Sequence, residues 1–372
     1  MTERPLQEYS TTLPNYSIGN KCYELIDKIT APYGTKAVVV GGPRSMAAFR
    51  AEFDKANQKI IITDYIIFSR EADPEEAAEL AKDPRVQSAD MIFSVGGGRS
   101  MDFGKVLAME AGKFHFTFPT IAGTCAPITR VAVLYDKDHH YLRNAIAPKP
   151  PVHCFINTKI IAEAPVEYIW AGIGDTLAKN YESHFASRGH ELDHANMLGL
   201  TIAPISSEGL VMYGTKAMED CQAKKTSYEL EQAVLAIIVS TGLVSINVLD
   251  EYNGSLGHSI YYGLTNLKEI EEHHLHGEVV SYGVLVLLSM DHQIEERNKL
   301  YKFMRTVNLP CCLNDLHITL EDVESVMDKI VGDKQIRVVP YKITPELVKQ
   351  AVVDLENYNS GIRYYEAHPE EK

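Results

Sequence analysis

The chain has 372 residues, 36 of them basic and 50 acidic, for a formal net charge of −14 with histidine neutral. At roughly 150 residues per domain that length suggests two to three domains, and the acidic excess disfavours nucleic acid or an anionic membrane surface as principal partner. With 45% hydrophobic and 23% charged residues the composition is globular, which excludes disorder for the bulk of the chain.

The six cysteines (Cys22, Cys125, Cys154, Cys221, Cys311, Cys312) contain no C-x-x-C pair, and the adjacent Cys311 and Cys312 make a poor disulfide framework. A reducing, cytoplasmic compartment is the expectation. The stretch Met1 to Gly19 carries early acidic residues and no apolar h-region, so it fits neither a secretory signal nor an Arg-rich transit peptide. The most apolar run, Val279 to Met290, is shorter than the ~20 residues that span hydrocarbon. It reads as a buried core helix, with no membrane partner.

Along the first half, β-branched and aromatic runs alternate with helical patterns. Strands are expected at Lys36–Gly42, Lys59–Thr63, Met91–Val95, Phe114–Phe118, Val131–Tyr135 and Val152–Ile156, with helices such as Pro74–Lys82 and Ser100–Ala111 between some of them. The alternation predicts an α/β region with a mainly parallel sheet covered on both faces. Asp136 to Pro151 reads as a loop. Beyond about residue 160 the strand signals stop and apolar-periodic segments take over: Val166–Ala186, His194–Tyr213, Ser227–Leu249, Gly277–Glu296 and Pro345–Asn357. This half reads as α-helical, with a boundary near Asn157 and a frayed tail at His368–Lys372.

Strand Met91–Val95 runs into Gly96-Gly97-Gly98-Arg99-Ser100 and then a helical pattern. Consecutive glycines at the carboxyl end of a strand let backbone approach a diphosphate, and the helix N-terminus offers free N–H donors and a positive dipole end. A plain β-to-α turn, with Ser100 as cap and Asp102 as a first-turn acid, would look the same locally. A second turn, Pro119 to Pro127, follows the next strand and carries Thr120, Thr124 and Cys125. Two such turns at neighbouring strand ends point to a ligand in the crevice outside the sheet.

Three segments of the helical half hold candidate metal ligands: Asp175 in Ala171–Lys179, His258 in Gly257–Gly263, and His276 in His273–Glu278. One carboxylate with two imidazoles leaves a coordination position open, as catalytic metal sites do. Locally, Asp175 could cap a Gly-x-Gly-Asp turn and His258 could be a core histidine. His273 and His274 look solvated behind Glu271 and Glu272, and Lys179 and Glu182 read as an exposed helix face.

In order and spacing, VGGGRSMDFGK (95–105), PTIAGTCAP (119–127), AGIGDTLAK (171–179) and HLHGEVVSYG (274–283) resemble the iron-containing, or group III, alcohol dehydrogenase superfamily, specifically its glycerol dehydrogenase branch. The resemblance implies a dehydroquinate synthase-like architecture: an α/β nucleotide-binding domain, 1–160, and an all-α metal-binding domain, 161–372. It implies metal ligands Asp175, His258 and His276. It also implies NAD-binding positions at Gly97, Gly98, Ser100 and Asp102, then Thr120, Thr124, Thr129, Val131 and Tyr135. Zn²⁺ is usual in that branch and Fe²⁺ elsewhere in the superfamily, and N/O donors suit both. Homo-oligomers are usual among such relatives.

Three positions depart from the branch. Cys125 stands where an Asp helps hold glycerol, a form that looks like hydroxycarboxylate dehydrogenase relatives. Tyr261 stands where the second His of an H-x-x-H pair would be. Val40-Gly41-Gly42-Pro43-Arg44 lacks an acid for a ribose 2′-hydroxyl, while Arg44 could meet a 2′-phosphate, leaving NADP open beside NAD. The expected activity is reversible NAD(P)-linked oxidation of a small secondary alcohol, a vicinal diol or polyol, the metal lowering the alcohol pKa and polarising the carbonyl in reverse. A 2-hydroxycarboxylate dehydrogenase acting on 2-oxo acids is the alternative, and a regulatory relative that has lost turnover is a third reading. A lyase on the same architecture would want a Lys/Arg phosphate clamp, which these motifs lack.

Overall fold

A computed structural model describes residues 12, 14–56, 59–69, 71–138 and 140–368. Among the described residues there are eight strands: β1 (Asn15–Ile18), β2 (Lys36–Gly41), β3 (Ile61–Ile67), β4 (Met91–Gly96), β5 (Phe114–Pro119), β6 (Val131–Tyr135), β7 (Tyr141–Ile146) and β8 (His153–Ile156). Six of them form one sheet in the order β1-β8-β5-β4-β2-β3, every pair parallel, while β6 and β7 form a separate antiparallel hairpin. The expected parallel sheet is therefore present.

Alternation along the strands builds both of its faces. Ala37, Val39, Met91, Phe93 and Val95 point into one buried layer with Tyr23, Phe49, Phe116, Phe118 and Phe155, where Phe118 and Phe155 stack at 5.0 Å. Val38, Val40 and Ile92 point the other way, to Phe68 and Phe103, whose rings stack at 4.5 Å.

Three readings of the first half need correction, and one strand was not foreseen. The Asp136–Pro151 stretch contains β7, because Tyr141-Leu-Arg-Asn-Ala-Ile has an exposed pattern with no apolar alternation and its only strand partner is β6. Val131–Tyr135 is a strand, but of that hairpin rather than the parallel sheet. The third strand starts at Ile61 and not Lys59, since the Asp27 carboxylate accepts the Lys59 and Ile60 N–H groups before the ladder begins. A short edge strand, β1, lies at the opposite margin.

After Ile156 the described elements are helical. Asn157 caps the helix Thr158–Glu163 by accepting from the Lys159 and Ile160 N–H groups. The long helices Val166–Ser187 and His194–Gln222 follow, the latter running nine residues past the expected Tyr213 despite Pro204 in its interior. Ser227–Leu249 is not one regular helix. Tyr228–Leu235 and Thr241–Asn247 are joined by a π-type turn at Ala236–Ser240, where the Thr241 hydroxyl donates to the Ala236 carbonyl at 2.9 Å. By length and composition Tyr228–Asn247 could cross a membrane, yet 56% of that stretch is buried inside the protein.

Gly277–Glu296 likewise divides into His276–Met290 and Ile294–Thr306. The break falls at His292, which has a φ of +54°, beside Asp291, whose carboxylate takes the Arg188 guanidinium in two bonds of 2.6 and 2.8 Å. The last helix, Pro345–Ala367, extends past Asn357 to meet His368; the rest of the expected tail, 369–372, lies outside the described residues. His276–Met290 is the buried core helix that its composition suggests, with every residue from Gly277 to Met290 buried.

That core helix crosses Val166–Ser187 backbone to backbone. A Cβ on Gly277 would sit 1.9 Å from the Ala171 carbonyl oxygen, and one on Gly174 would sit 2.2 Å from the Gly277 carbonyl oxygen. No flexible side chain can yield there. Gly277→Val should therefore destabilise the protein by at least about 1–3 kcal/mol, the usual cost of overpacking. Gly361→Ala, in the last helix with nothing within 4 Å of its Cβ, should be neutral or stabilising by up to about 1 kcal/mol. Urea-unfolding midpoints of the two variants provide the comparison.

Candidate active site

The glycine-rich turn Gly96–Ser100, the candidate phosphate loop, forms where β4 gives way to the helix Gly98–Ala111. Gly96 has a φ of +146°, and a Cβ there would strike the Ser100 hydroxyl at 2.3 Å. The helix cap is Gly97, with no side chain bonded to the first turn. Ser100 is inside that turn and buried, so it is not the cap. The second turn packs alongside: the Thr120 N–H donates to the Gly96 carbonyl at 3.0 Å, a Cβ on Gly97 would meet Ile121 at 2.6 Å, and one on Gly98 would meet the Thr124 hydroxyl at 3.3 Å. Gly97, Gly98, Ser100, Thr120 and Thr124 thus converge on one patch at the N-terminus of a 14-residue helix, with backbone open to an anion.

The remaining expected nucleotide positions lie one step deeper. Asp102 is buried, receives the Lys105 ammonium at 2.9 Å and accepts the Val133 N–H at 3.2 Å, rather than serving its own helix turn. Lys105 also donates to the Thr129 hydroxyl and the Val131 carbonyl. Burial raises the Asp102 carboxyl even against the Lys105 charge. Tyr135, at the end of β6, feels the charges of Asp102, Glu71 and Arg99 on one side and lies within electrostatic reach of Tyr261 and Tyr262 on the other. It stands between the phosphate loop and the helical half. Arg44 is exposed in the first turn of the helix Pro43–Lys55, and a Cβ on Gly41 would meet the Val95 carbonyl oxygen at 2.2 Å, leaving no room for a side chain at that strand end.

In the helical half Asp175, His258 and His276, far apart in sequence, come together. One ligand atom from each lies within 4.8 Å of the others. Asp175 Oδ1 is 3.2 Å from His276 Nε2 and 3.6 Å from His258 Nε2. Asp175 is not at a turn but inside the helix Val166–Ser187, with Gly174 serving the helix crossing and Gly172 the contact with the turn after β5, where a Cβ would meet the Ala122 carbonyl oxygen at 2.1 Å. His276 opens its helix directly opposite, and His258 comes from Leu256–Leu264.

Glu182 corrects the expectation of a solvated face. It is 0% exposed and accepts the Ser255 N–H at 2.8 Å, the His258 N–H at 3.0 Å and the His258 Nδ1–H in a short bond. That bond fixes the His258 tautomer, leaving Nε2 to face Asp175 and His276. Nothing in the spacing separates Glu182 from a surface acid, although it lies seven residues, or two helical turns, after Asp175 on the same face.

Burial opposes charge on both partners of this cluster, yet it is outweighed. The two histidines hold the Asp175 carboxyl well below its ordinary range, and Glu182 with Asp175 raises His258 to about 10. Two carboxylates thus build a strongly cation-attracting point lined by one oxygen and two nitrogen donors, the donor set of an open divalent site.

Lys179 also departs from expectation. It is half-buried, with its ammonium on the Asn253 carbonyl at 3.1 Å and the Asn253 side-chain oxygen at 3.2 Å. His273 is exposed as expected, but the His274 side chain is only 5% exposed and its Nδ1 lies 2.8 Å from Glu278 Oε1. Tyr261 packs edge-on against His276 at 4.3 Å, so it closes one side of the cluster as an aromatic wall. Cys125 places its sulfur 3.8 Å from the Ser245 hydroxyl, within electrostatic reach of Lys179 and Asp175, and burial raises its thiol.

Comparison with known proteins agrees with this layout. The family model for iron-containing alcohol dehydrogenase matches residues 14–153. Hydroxycarboxylate dehydrogenase A of Escherichia coli (strain K12) is 28% identical over 343 residues, covering 90% of this chain and 93% of that protein. A glycerol dehydrogenase of Pseudomonas putida is 30% identical over 269 residues, 71% of this chain and 72% of its own length. The crystal structure of glycerol dehydrogenase from Schizosaccharomyces pombe superposes with a TM-score of 0.84 at 24% identity, over 99% of this chain and 94% of that one. With its parallel sheet, its glycine-rich strand end and its Asp-His-His cluster, the chain belongs to the iron-containing alcohol dehydrogenase family.

Proposed function

We propose that the protein is a divalent-metal-dependent, NAD-linked dehydrogenase that reversibly oxidises a small secondary alcohol bearing a second oxygen on the neighbouring carbon, the feature shared by vicinal diols and 2-hydroxy acids. The observation that carries this is the convergence of Asp175, His258 and His276. These three would hold the cation; Zn²⁺ is our assignment and Fe²⁺ the alternative, since one oxygen and two imidazole donors suit either. When bound, the cation supplies Lewis acidity toward the alcohol oxygen, and the nicotinamide accepts hydride.

The chain's own groups orient that chemistry. Glu182 holds the His258 ring in one tautomer. Tyr261, raised by burial to about 12, keeps its proton at neutral pH and acts as a wall rather than a base. Gly97, Gly98, Ser100, Thr120 and Thr124 would cradle the pyrophosphate with backbone N–H and hydroxyl groups, supported by Asp102 on the same helix, by Thr129 just before β6 and by Val131 and Tyr135 on it. NAD is the coenzyme we assign; the exposed Arg44 leaves a place for a 2′-phosphate. We divide the chain at 1–160 and 161–372, and place it in the cytoplasm as a homo-oligomer. Six unpaired cysteines suit a reducing compartment.

Asp175→Ala and His276→Ala should each lower kcat/KM by several orders of magnitude while far-UV circular dichroism stays native. EDTA should abolish, and added Zn²⁺ or Fe²⁺ restore, the NADH absorbance change of the wild type. Retained turnover in Asp175→Ala, or in the stripped enzyme, refutes the function. Independently of activity, Glu182→Gln should weaken metal binding about 10- to 100-fold, the usual effect of losing a ligand's supporting partner, as measured by competition with a chromogenic chelator.

A further inference from the structure

On the helix Val166–Ser187 the residue one turn beyond Asp175 is Lys179. Residues four apart on a helix share a face at about 5–6 Å between Cβ atoms, so the ammonium is carried toward the same side as the Asp-His-His cluster. Its two bonds are to one uncharged residue, Asn253, which is itself pinned by donating to the Val248 carbonyl at 2.9 Å. Among the described residues no carboxylate forms an ion pair with it. A half-buried lysine without a counter-ion has a donor to offer an anionic acceptor in a charge-assisted bond.

The Cys125 thiol, on the turn after β5, lies within electrostatic reach of both Lys179 and Asp175. Burial keeps that thiol protonated, and its partner Ser245 is a hydroxyl. The charges around the cluster make the same point. Asp175 and Glu182 would together balance one divalent cation held by neutral histidines, which would leave the Lys179 charge over.

We propose that Lys179 is a specificity-determining residue that binds the carboxylate of a 2-hydroxy or 2-oxo acid substrate, with Cys125 and Ser245 forming the neutral wall beside it. The inference rests on the proposed dehydrogenase function and narrows its substrate class. One of the three ammonium protons remains after the two bonds to Asn253, enough for one charge-assisted bond to a carboxylate oxygen. A diol offers that proton only a hydroxyl, and Cys125 gives a polyol no acceptor carboxylate.

The test uses two substrates with the same carbon skeleton, 2-hydroxybutyrate and butane-1,2-diol, assayed with NAD and the metal-loaded full-length enzyme. The wild type should prefer the acid. Lys179→Met, which keeps the packing of the stem, should reduce the acid-over-diol ratio of kcat/KM by about 10- to 100-fold, the scale of one hydrogen bond to a charged group, with the loss mainly in KM for the acid. Lys179→Arg should recover part of it. Cys125→Asp should shift the ratio in the same direction as Lys179→Met, and Cys125→Ser should not.

A reading without turnover is the affinity of the metal- and NADH-loaded protein for oxamate, which carries a carboxylate beside a carbonyl; Lys179→Met should weaken it by a similar factor. An unchanged ratio or unchanged oxamate affinity in Lys179→Met overturns the inference, as does a loss confined to kcat. A wild type that oxidises neither alcohol, yet binds oxamate through Lys179, would refute the dehydrogenase function and leave the carboxylate subsite standing.

Discussion

The contact on which the site depends is the crossing of two helices at glycine. Gly174 and Gly277 let the backbones of Val166–Ser187 and His276–Met290 approach so closely that a methyl group on Gly174 would enter the Gly277 carbonyl and one on Gly277 the Ala171 carbonyl. Asp175 follows Gly174 and His276 precedes Gly277, so the closest point of the crossing is also where two of the three candidate ligands meet, at 3.2 Å. Gly172 repeats the device toward the other half, resting on the Ala122 carbonyl of the turn after β5. One helix, through glycines on two of its sides, therefore fixes the Asp175 carboxylate relative to both the core helix and the turn after β5. Van der Waals contact between rigid backbones transmits position with little slack, which a catalytic constellation needs within about half an ångström.

Onto this frame the sequence adds charge against the trend of burial. A carboxylate such as Glu182 is rarely fully buried without a partner. Here three N–H donors surround it, two from backbone and one from His258. Gly257 allows this: a Cβ on it would lie 3.0 Å from Glu182 Oε1. The desolvated negative charge then favours a positive charge on the far side of the imidazole, whether proton or metal ion. Asp175 adds to that preference from the opposite side. Attraction for a cation thus comes from two acids on one helix face, only one of which can reach it.

How far these features could be read from residues alone follows their physics. The parallel sheet was readable because β2, β4, β5 and β8 are almost wholly buried and rich in β-branched or aromatic residues, and buried strands announce themselves by composition. The β6–β7 hairpin was half hidden, since β7 is mostly exposed and lacks alternation. Apolar periodicity located the long helices but ran through the break at Asp291–Gln293, where side-chain bonding to Arg188 and a left-handed His292 end a helix whose hydrophobic pattern continues. The Asp-His-His set came from resemblance, not spacing, because its members are distant along the chain. Glu182, Lys179 and His274 were misread for one reason: local sequence makes them helix-surface polar residues, and only tertiary packing turns that surface inward.

The hairpin outside the main sheet shows what joins the two halves. On one side Lys105, itself nearly inaccessible, ties the phosphate-loop helix to the Val131 carbonyl and the Thr129 hydroxyl at the start of β6. On the other, the Lys334 ammonium, from the helical half, lies 5.4 Å from the centre of the Tyr141 ring on β7. Tyr135 ends β6 between these two anchors, against Tyr141 at 6.1 Å and within electrostatic reach of Tyr261 and Tyr262. β6, a strand of five residues, thus starts at the Lys105 anchor and ends within electrostatic reach of Tyr261 and Tyr262, buried on one side and paired with β7 on one edge. Groups on two halves of a chain can act on one pair of atoms only when connections of this kind hold them near contact.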